Sequence, residues 1–164
     1  MKFIIGSVFA CFLTIFSQPS MAIAVGETAP AFELPGSSGS VSLASHKGKV
    51  VYVDFWASWC GPCKQSFPWL NEMQTKYGAK GFQIVGINVD AKTTDAKKFL
   101  TEVPAQFTVA FDDKGVTPKQ FGIKGMPSSV LLDGNGKVIS QHTGFRDVDK
   151  GQLEQSILKA LAAK

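Results

Sequence analysis

Two cysteines, Cys60 and Cys63, stand two residues apart in the run Trp59-Cys60-Gly61-Pro62-Cys63. A pair at this spacing can act as a dithiol/disulfide switch, as half of a zinc site, or as a structural bridge. The run follows Val50-Val51-Tyr52-Val53-Asp54-Phe55-Trp56, whose β-branched and aromatic residues read as a buried strand. A helix over 62–77 would follow, so that the cysteines sit at its N-terminus. There backbone N–H groups and the helix dipole favour a thiolate. In that setting the first cysteine is the nucleophile and the second resolves the mixed disulfide.

The inventory of possible ligands narrows these uses. Lys2 and the apolar segment 3–16, broken at Ser17-Gln18-Pro19-Ser20, read as a secretory signal peptide over 1–24. Small residues allow cleavage after Ala22 or after Ala24, leaving a single domain over 25–164; a retained N-terminal anchor is the alternative. Cleavage removes Cys11 and leaves Cys60 and Cys63 as the only cysteines. That excludes a disulfide-stapled scaffold and a four-thiolate zinc site in a monomer. His46 and His142 are isolated, without metal-ligand spacing, and no metal is expected. The formal charge of +4 is spread over single lysines, with no basic and aromatic stripe, so no nucleic-acid partner is expected.

Other elements must hold the pair in place. Stretches 26–34 and 41–43, around a Gly/Ser turn, suggest an N-terminal hairpin. Phe67, Leu70, Met73 and Tyr77 give the first helix a buried face, and Pro68 should kink it. A strand over 82–89, a helix capped by Thr94 or Asp95 and ending near Glu102, and a strand over 108–111 come next. A short helix at 116–121 precedes a hairpin of 129–132 and 137–140 turned at Asp133-Gly134-Asn135-Gly136. Val148, Leu153, Ile157 and Leu161 would line the inner face of the last helix. Strand–helix alternation followed by a hairpin and a final helix gives a three-layer α/β domain with 45% hydrophobic residues to fill its core.

The segment Val53-Asp54-Phe55-Trp56-Ala57-Ser58-Trp59-Cys60-Gly61-Pro62-Cys63-Lys64, with Pro68 and Gly125-Met126-Pro127, resembles the thioredoxin superfamily. Over residues 26–163 the pattern is similar to the exported thiol–disulfide oxidoreductases of the TlpA/ResA type. The resemblance implies a thioredoxin-like α/β/α sandwich with a mixed sheet, an N-terminal hairpin and an inserted central segment at 91–111. It implies Cys60 and Cys63 as the redox pair and a cis Pro127 facing them. Met126 would offer backbone to an extended substrate, and Trp59, Gly61 and Pro62 would shape the site. Desolvation in the apolar strand would raise the pKa of Asp54, making it the base for Cys63.

Two departures stand out: Ser66 where many of these reductases carry Glu, and Asp54 where they often carry Asn. The lysine that pairs with this aspartate in thioredoxins falls near Gly86, which supplies no charge. The expected function is reduction of protein disulfides outside the cytoplasm, in the periplasm, by a monomer that takes electrons from a membrane thiol–disulfide reductase. The dithiol itself is the redox group, with no other cofactor. A disulfide oxidase or isomerase, or a non-catalytic redox-responsive binding module, are the alternatives.

Overall fold

The computed structural model describes residues 23–164; the leader expected over 1–24 lies outside them except for its last two residues. Seven strands form one sheet in the order β2-β1-β5-β4-β3-β6-β7. In chain order these are β1 (Glu33–Gly36), β2 (Gly39–Ser42), β3 (Val50–Trp56), β4 (Phe82–Asn88), β5 (Thr108–Phe111), β6 (Ser128–Leu132) and β7 (Val138–Thr143). The helices are α1 (Gly61–Tyr77), α2 (Thr93–Glu102), α3 (Val116–Gln120) and α4 (Lys150–Ala162). Strands β3, β4 and β5 are parallel, and β1, β6 and β7 join antiparallel, so the sheet is mixed.

All seven residues of β3 are buried, which is what a continuous apolar run with neighbours on both edges and both faces demands. Its side chains alternate between two cores. Val51, Val53 and Phe55 point into one with Val85, Ile87 and Phe121, which is closed by α3 and the N-terminal segment. Val50, Tyr52 and Trp56 point into the other, with Phe67, Leu70 and Met73 of α1, Phe99 of α2 and Ile157 of α4. This is the three-layer α/β/α arrangement. The inserted segment supplies α2 and β5, and β5 separates β4 from the N-terminal hairpin in the sheet.

The expected hairpin forms, but later in the chain, as Glu33–Gly36 paired with Gly39–Ser42. Residues 24–29 instead run along β7. Gly26 N–H donates to the Val138 carbonyl, Val138 N–H to Glu27, and Ala29 N–H to Gly136, at 2.8, 2.9 and 2.9 Å. Ile23 is buried against that core, and its carbonyl accepts from the Gln141 side chain.

Helix α2 begins at Thr93 with Lys92 in the cap position and no capping side chain; Thr94 and Asp95 lie in its first turn, where Asp95 complements the dipole. At the C-terminus the expected inner face is corrected at Val148. Val148 is 81% exposed in a 3-10 turn, because Arg146 and Asp149 close that turn before α4 starts at Lys150. Leu153, Ile157 and Ala160 are buried on α4, whereas Leu161 packs only at the edge of that core.

Candidate active site

Strand β3 ends at Trp56, and the turn Ala57–Cys60, closed by Cys60 N–H to the Ala57 carbonyl at 3.2 Å, leads into α1. Cys60 is the N-cap of α1, with extended backbone, and its sulfur accepts from the Cys63 N–H at 3.2 Å. Its carbonyl takes the N–H groups of Cys63 and Lys64. Pro62 falls in the first turn, where its fixed φ suits the helix and its missing N–H costs nothing. The two sulfurs are joined in a disulfide, with Cα atoms 5.3 Å apart, so this is the oxidised form. Cys60 keeps 5% of its surface exposed and Cys63 none, which makes Cys60 the sulfur that a partner can reach. Trp59 is 72% exposed beside it, whereas Trp56 is fully buried against Phe67 and Phe99.

Helix α1 is continuous through Pro68, although that residue has no N–H to return to the preceding turn. Ser66, buried one turn into the helix, donates its hydroxyl to the Cys63 carbonyl at 3.0 Å. The position where the resemblance led to an expected Glu therefore carries a neutral local hydrogen bond.

The Met126–Pro127 peptide is cis. Register places it: Ser128 pairs with Phe55, so Pro127 lies at the end of β3 from which the cysteines emerge. The loop is held by Ser128 Oγ donating to the Gly125 carbonyl at 2.8 Å and by Gly144 N–H donating to the Pro127 carbonyl at 2.8 Å.

Asp54 stands in the middle of the sheet, opposite Gly86 on β4 and Ser129 on β6. It is buried, and its Oδ2 has no hydrogen-bond partner. Burial holds its carboxyl well above the ordinary aspartate range, because it strips hydration from the charged form. Tyr52, two residues before it on the same face, is raised in turn, first by burial and then by the carboxylate. Tyr52 and Trp56, which flank Asp54, share their core with Cys63.

Gly86 is where a paired lysine would stand, and a Cβ there would meet the Phe107 ring at 2.8 Å and Trp56 Nε1 at 3.2 Å. The indole Nε1 is itself buried without a partner. Gly86 thus leaves Asp54 without a cation across the strand pair and lets two aromatic rings close over it.

The structure adds two polar groups that the sequence did not single out. Asp90, after β4, clamps Ser58 in the turn before Cys60. Asp149 receives a forked pair of hydrogen bonds from Arg146, at 3.1 and 2.8 Å, which holds its carboxyl below the usual aspartate range. That ion pair fixes the loop after β7, where Phe145 packs on Trp69 of α1 at 5.7 Å. Neither histidine joins the cysteines. His46 lies in a 3-10 turn after β2, held below its ordinary pKa by burial and by Lys49, and His142 sits 3.6 Å from Asp149. Among the described residues no three His, Cys, Asp or Glu side chains converge as a metal site would require.

The Redoxin family model matches residues 24–160, nearly the whole described chain. The chain belongs to the Redoxin family. Among its relatives, the thiol–disulfide oxidoreductase ResA of Bacillus thuringiensis subsp. konkukian is 35% identical to this redoxin over 136 residues, covering 82% of this chain and 78% of that protein. The ResA of Geobacillus thermodenitrificans is 33% identical over 130 residues, covering 79% and 75%. A solved structure titled as a putative thiol:disulfide interchange protein DsbE from Chlorobium tepidum shares 64% identity with a TM-score of 0.85, covering 85% of this chain and 99% of that one. The thioredoxin domain of a thiol-disulfide oxidoreductase from Bacteroides vulgatus superposes with a TM-score of 0.74 at 30% identity, covering 83% and 99%. This redoxin is a ResA/TlpA-type thiol–disulfide oxidoreductase with a thioredoxin-like fold, acting on protein thiols.

Proposed function

We propose that this redoxin reduces disulfides of exported proteins, with Cys60 as nucleophile, Cys63 as resolving thiol and Asp54 as the base that serves Cys63. The observation that carries the reading is the placement of Cys60 at the N-cap of α1, with the Cys63 N–H aimed at its sulfur. In the dithiol form that donor and the helix dipole stabilise a thiolate on Cys60.

The Cys60 thiolate attacks one sulfur of a substrate disulfide, forming a mixed disulfide and releasing the other sulfur as a thiolate. Asp54 then accepts the Cys63 proton, directly or through water. The new Cys63 thiolate attacks the Cys60 sulfur, which restores the Cys60–Cys63 disulfide and frees the second substrate thiolate. Two electrons pass to the substrate, and the dithiol carries them without any further cofactor.

The substrate lies as an extended segment against the Met126 backbone, with Trp59 as its apolar rim; Gly61 and Pro62 shape the turn between the sulfurs. Ser66 keeps the helix side of Cys63 neutral, so the raised Asp54 is the proton acceptor available to it. A membrane thiol–disulfide reductase returns the enzyme to its dithiol form. The protein acts as a monomer in the periplasm. Its leader is cut after Ala22, which retains the buried Ile23; a cut after Ala24 would remove it.

Insulin-disulfide reduction tests the reading. Wild type should precipitate the insulin B chain in the presence of dithiothreitol, and Cys60→Ser should fall to the uncatalysed rate. Equal rates for the two proteins would contradict it.

A further inference from the structure

We propose that Asp90 is a positioning residue that holds the turn before Cys60 and so aims its sulfur at the N-terminus of α1. The inference rests on the proposed role of Cys60 and adds a group to it. Asp90 lies between β4 and α2, thirty-two residues from Ser58, and is 4% exposed. Its Oδ2 accepts the Ser58 backbone N–H at 2.9 Å and its Oδ1 accepts the Ser58 hydroxyl at 3.0 Å, so both oxygens grip one residue. Asn88 locks the carboxylate in return. Its Nδ2 donates to Oδ2 at 2.8 Å, and its Oδ1 accepts the Asp90 N–H at 3.0 Å. Val89 N–H donates to the Trp56 carbonyl at 3.0 Å, tying the same loop to the end of β3.

Ser58 is the second residue of the turn Ala57–Cys60, and the residue closing that turn is the nucleophile. With Ala57 buried and Ser58 clamped, the turn delivers Cys60 as the cap of α1 and turns Trp59 out to solvent. Three donors on one buried carboxylate offset its desolvation, which is the condition under which such a charge is tolerated.

Asp90 acts on Cys60 in two opposed ways. Its negative charge disfavours a nearby thiolate, whereas its clamp keeps the sulfur on the Cys63 N–H, which favours one. The proposal is that the clamp dominates.

The test is the pH profile of iodoacetamide alkylation of the reduced full chain, with the modified cysteine identified by mass spectrometry. Asp90→Ala should slow Cys60 labelling about tenfold near neutral pH and shift its ionisation to higher pH, following the loss of thiolate. Ser58→Ala keeps the N–H bond and loses the hydroxyl bond, so it should slow labelling about threefold with little change in thermal midpoint. Asp90→Leu, of similar size but without an acceptor, should also slow it, because neither Ser58 donor then has a partner. Faster labelling in Asp90→Leu would mean that charge dominates, and would overturn the proposal. So would profiles that superpose on wild type while only the thermal midpoint falls. First labelling of Cys63 in the wild type would instead refute the role given to Cys60, independently of Asp90.

Discussion

The two faces of β3 are built from neighbouring residues and do different work. On one face Val51, Val53 and Phe55 meet Val85, Ile87 and Phe121 in an apolar core, with His46 and Asp112 only at its margins. On the other, Tyr52, Asp54 and Trp56 lie under α1, and that side holds a carboxyl oxygen and an indole nitrogen without partners. A buried unpaired polar group costs stability, so the first face holds the strand and the second carries a cost that the proposed role of Asp54 would use. What separates them is one residue of register.

If this division holds, damage to the first face should be large and chemically silent. Phe121→Ala, at a fully buried ring packed at a tilt 5.4 Å from Phe55, should lower stability by about 3–5 kcal/mol. Urea unfolding measures that loss, while the reduction rate per folded molecule should stay within about twofold of wild type. A smaller stability change accompanied by a collapsed rate would erase the distinction between the faces.

Damage to the second face should show the reverse. Asp54→Asn should slow resolution of a Cys60 mixed disulfide about 10–100-fold near neutral pH and leave the first attack nearly intact, as rapid-quench trapping would reveal. An unchanged resolution rate would remove Asp54 from the mechanism. The same variant has a stability signature. Because the folded-state pKa of Asp54 is raised, the folded protein holds a proton that the unfolded chain loses near pH 3.9, its reference value. Between those two values the unfolded state binds fewer protons, so wild-type stability falls as pH rises. Asp54→Asn should therefore match wild type in denaturant unfolding at about pH 3 and be the more stable of the two at pH 8. The smallest effect belongs to the exposed rim. Trp59→Ala should change stability by less than about 0.5 kcal/mol and raise the KM for a protein disulfide a few-fold.

The first face was easier to read in advance than the second. The seven residues of β3 declare themselves by an unbroken apolar run, and Asp54 stands out because a carboxylate in such a run has little hydration to keep. The dithiol at the head of α1 was equally legible, since it sits in a short local pattern, whereas the cis Pro127 was expected only from the resemblance to the thioredoxin superfamily. What the sequence concealed is held by contacts remote along the chain. Residues 24–29 lie along β7 through backbone hydrogen bonds that no side-chain pattern announces, which moved the hairpin later than expected. Asp90 reads as a residue of a strand end until Ser58 arrives from thirty-two positions away. Arg146 gave no signal beyond its proximity to the last hairpin; its forked pairing with Asp149 ends the turn and leaves Val148 in solvent. The partnerless indole of Trp56 depends on Gly86, a glycine whose significance is the side chain it lacks.

The direction of electron flow rests on the Gly61-Pro62 pair between the sulfurs and on Cys60 at the helix N-terminus. The reduction potential of Cys60/Cys63, obtained by equilibration against a glutathione or dithiothreitol couple with the reduced fraction quantified by alkylation, measures it directly. A reductase of the kind proposed should lie close to thioredoxin's own value of about −270 mV. A potential above the glutaredoxin range, toward about −120 mV, would make the protein an oxidant and contradict the account.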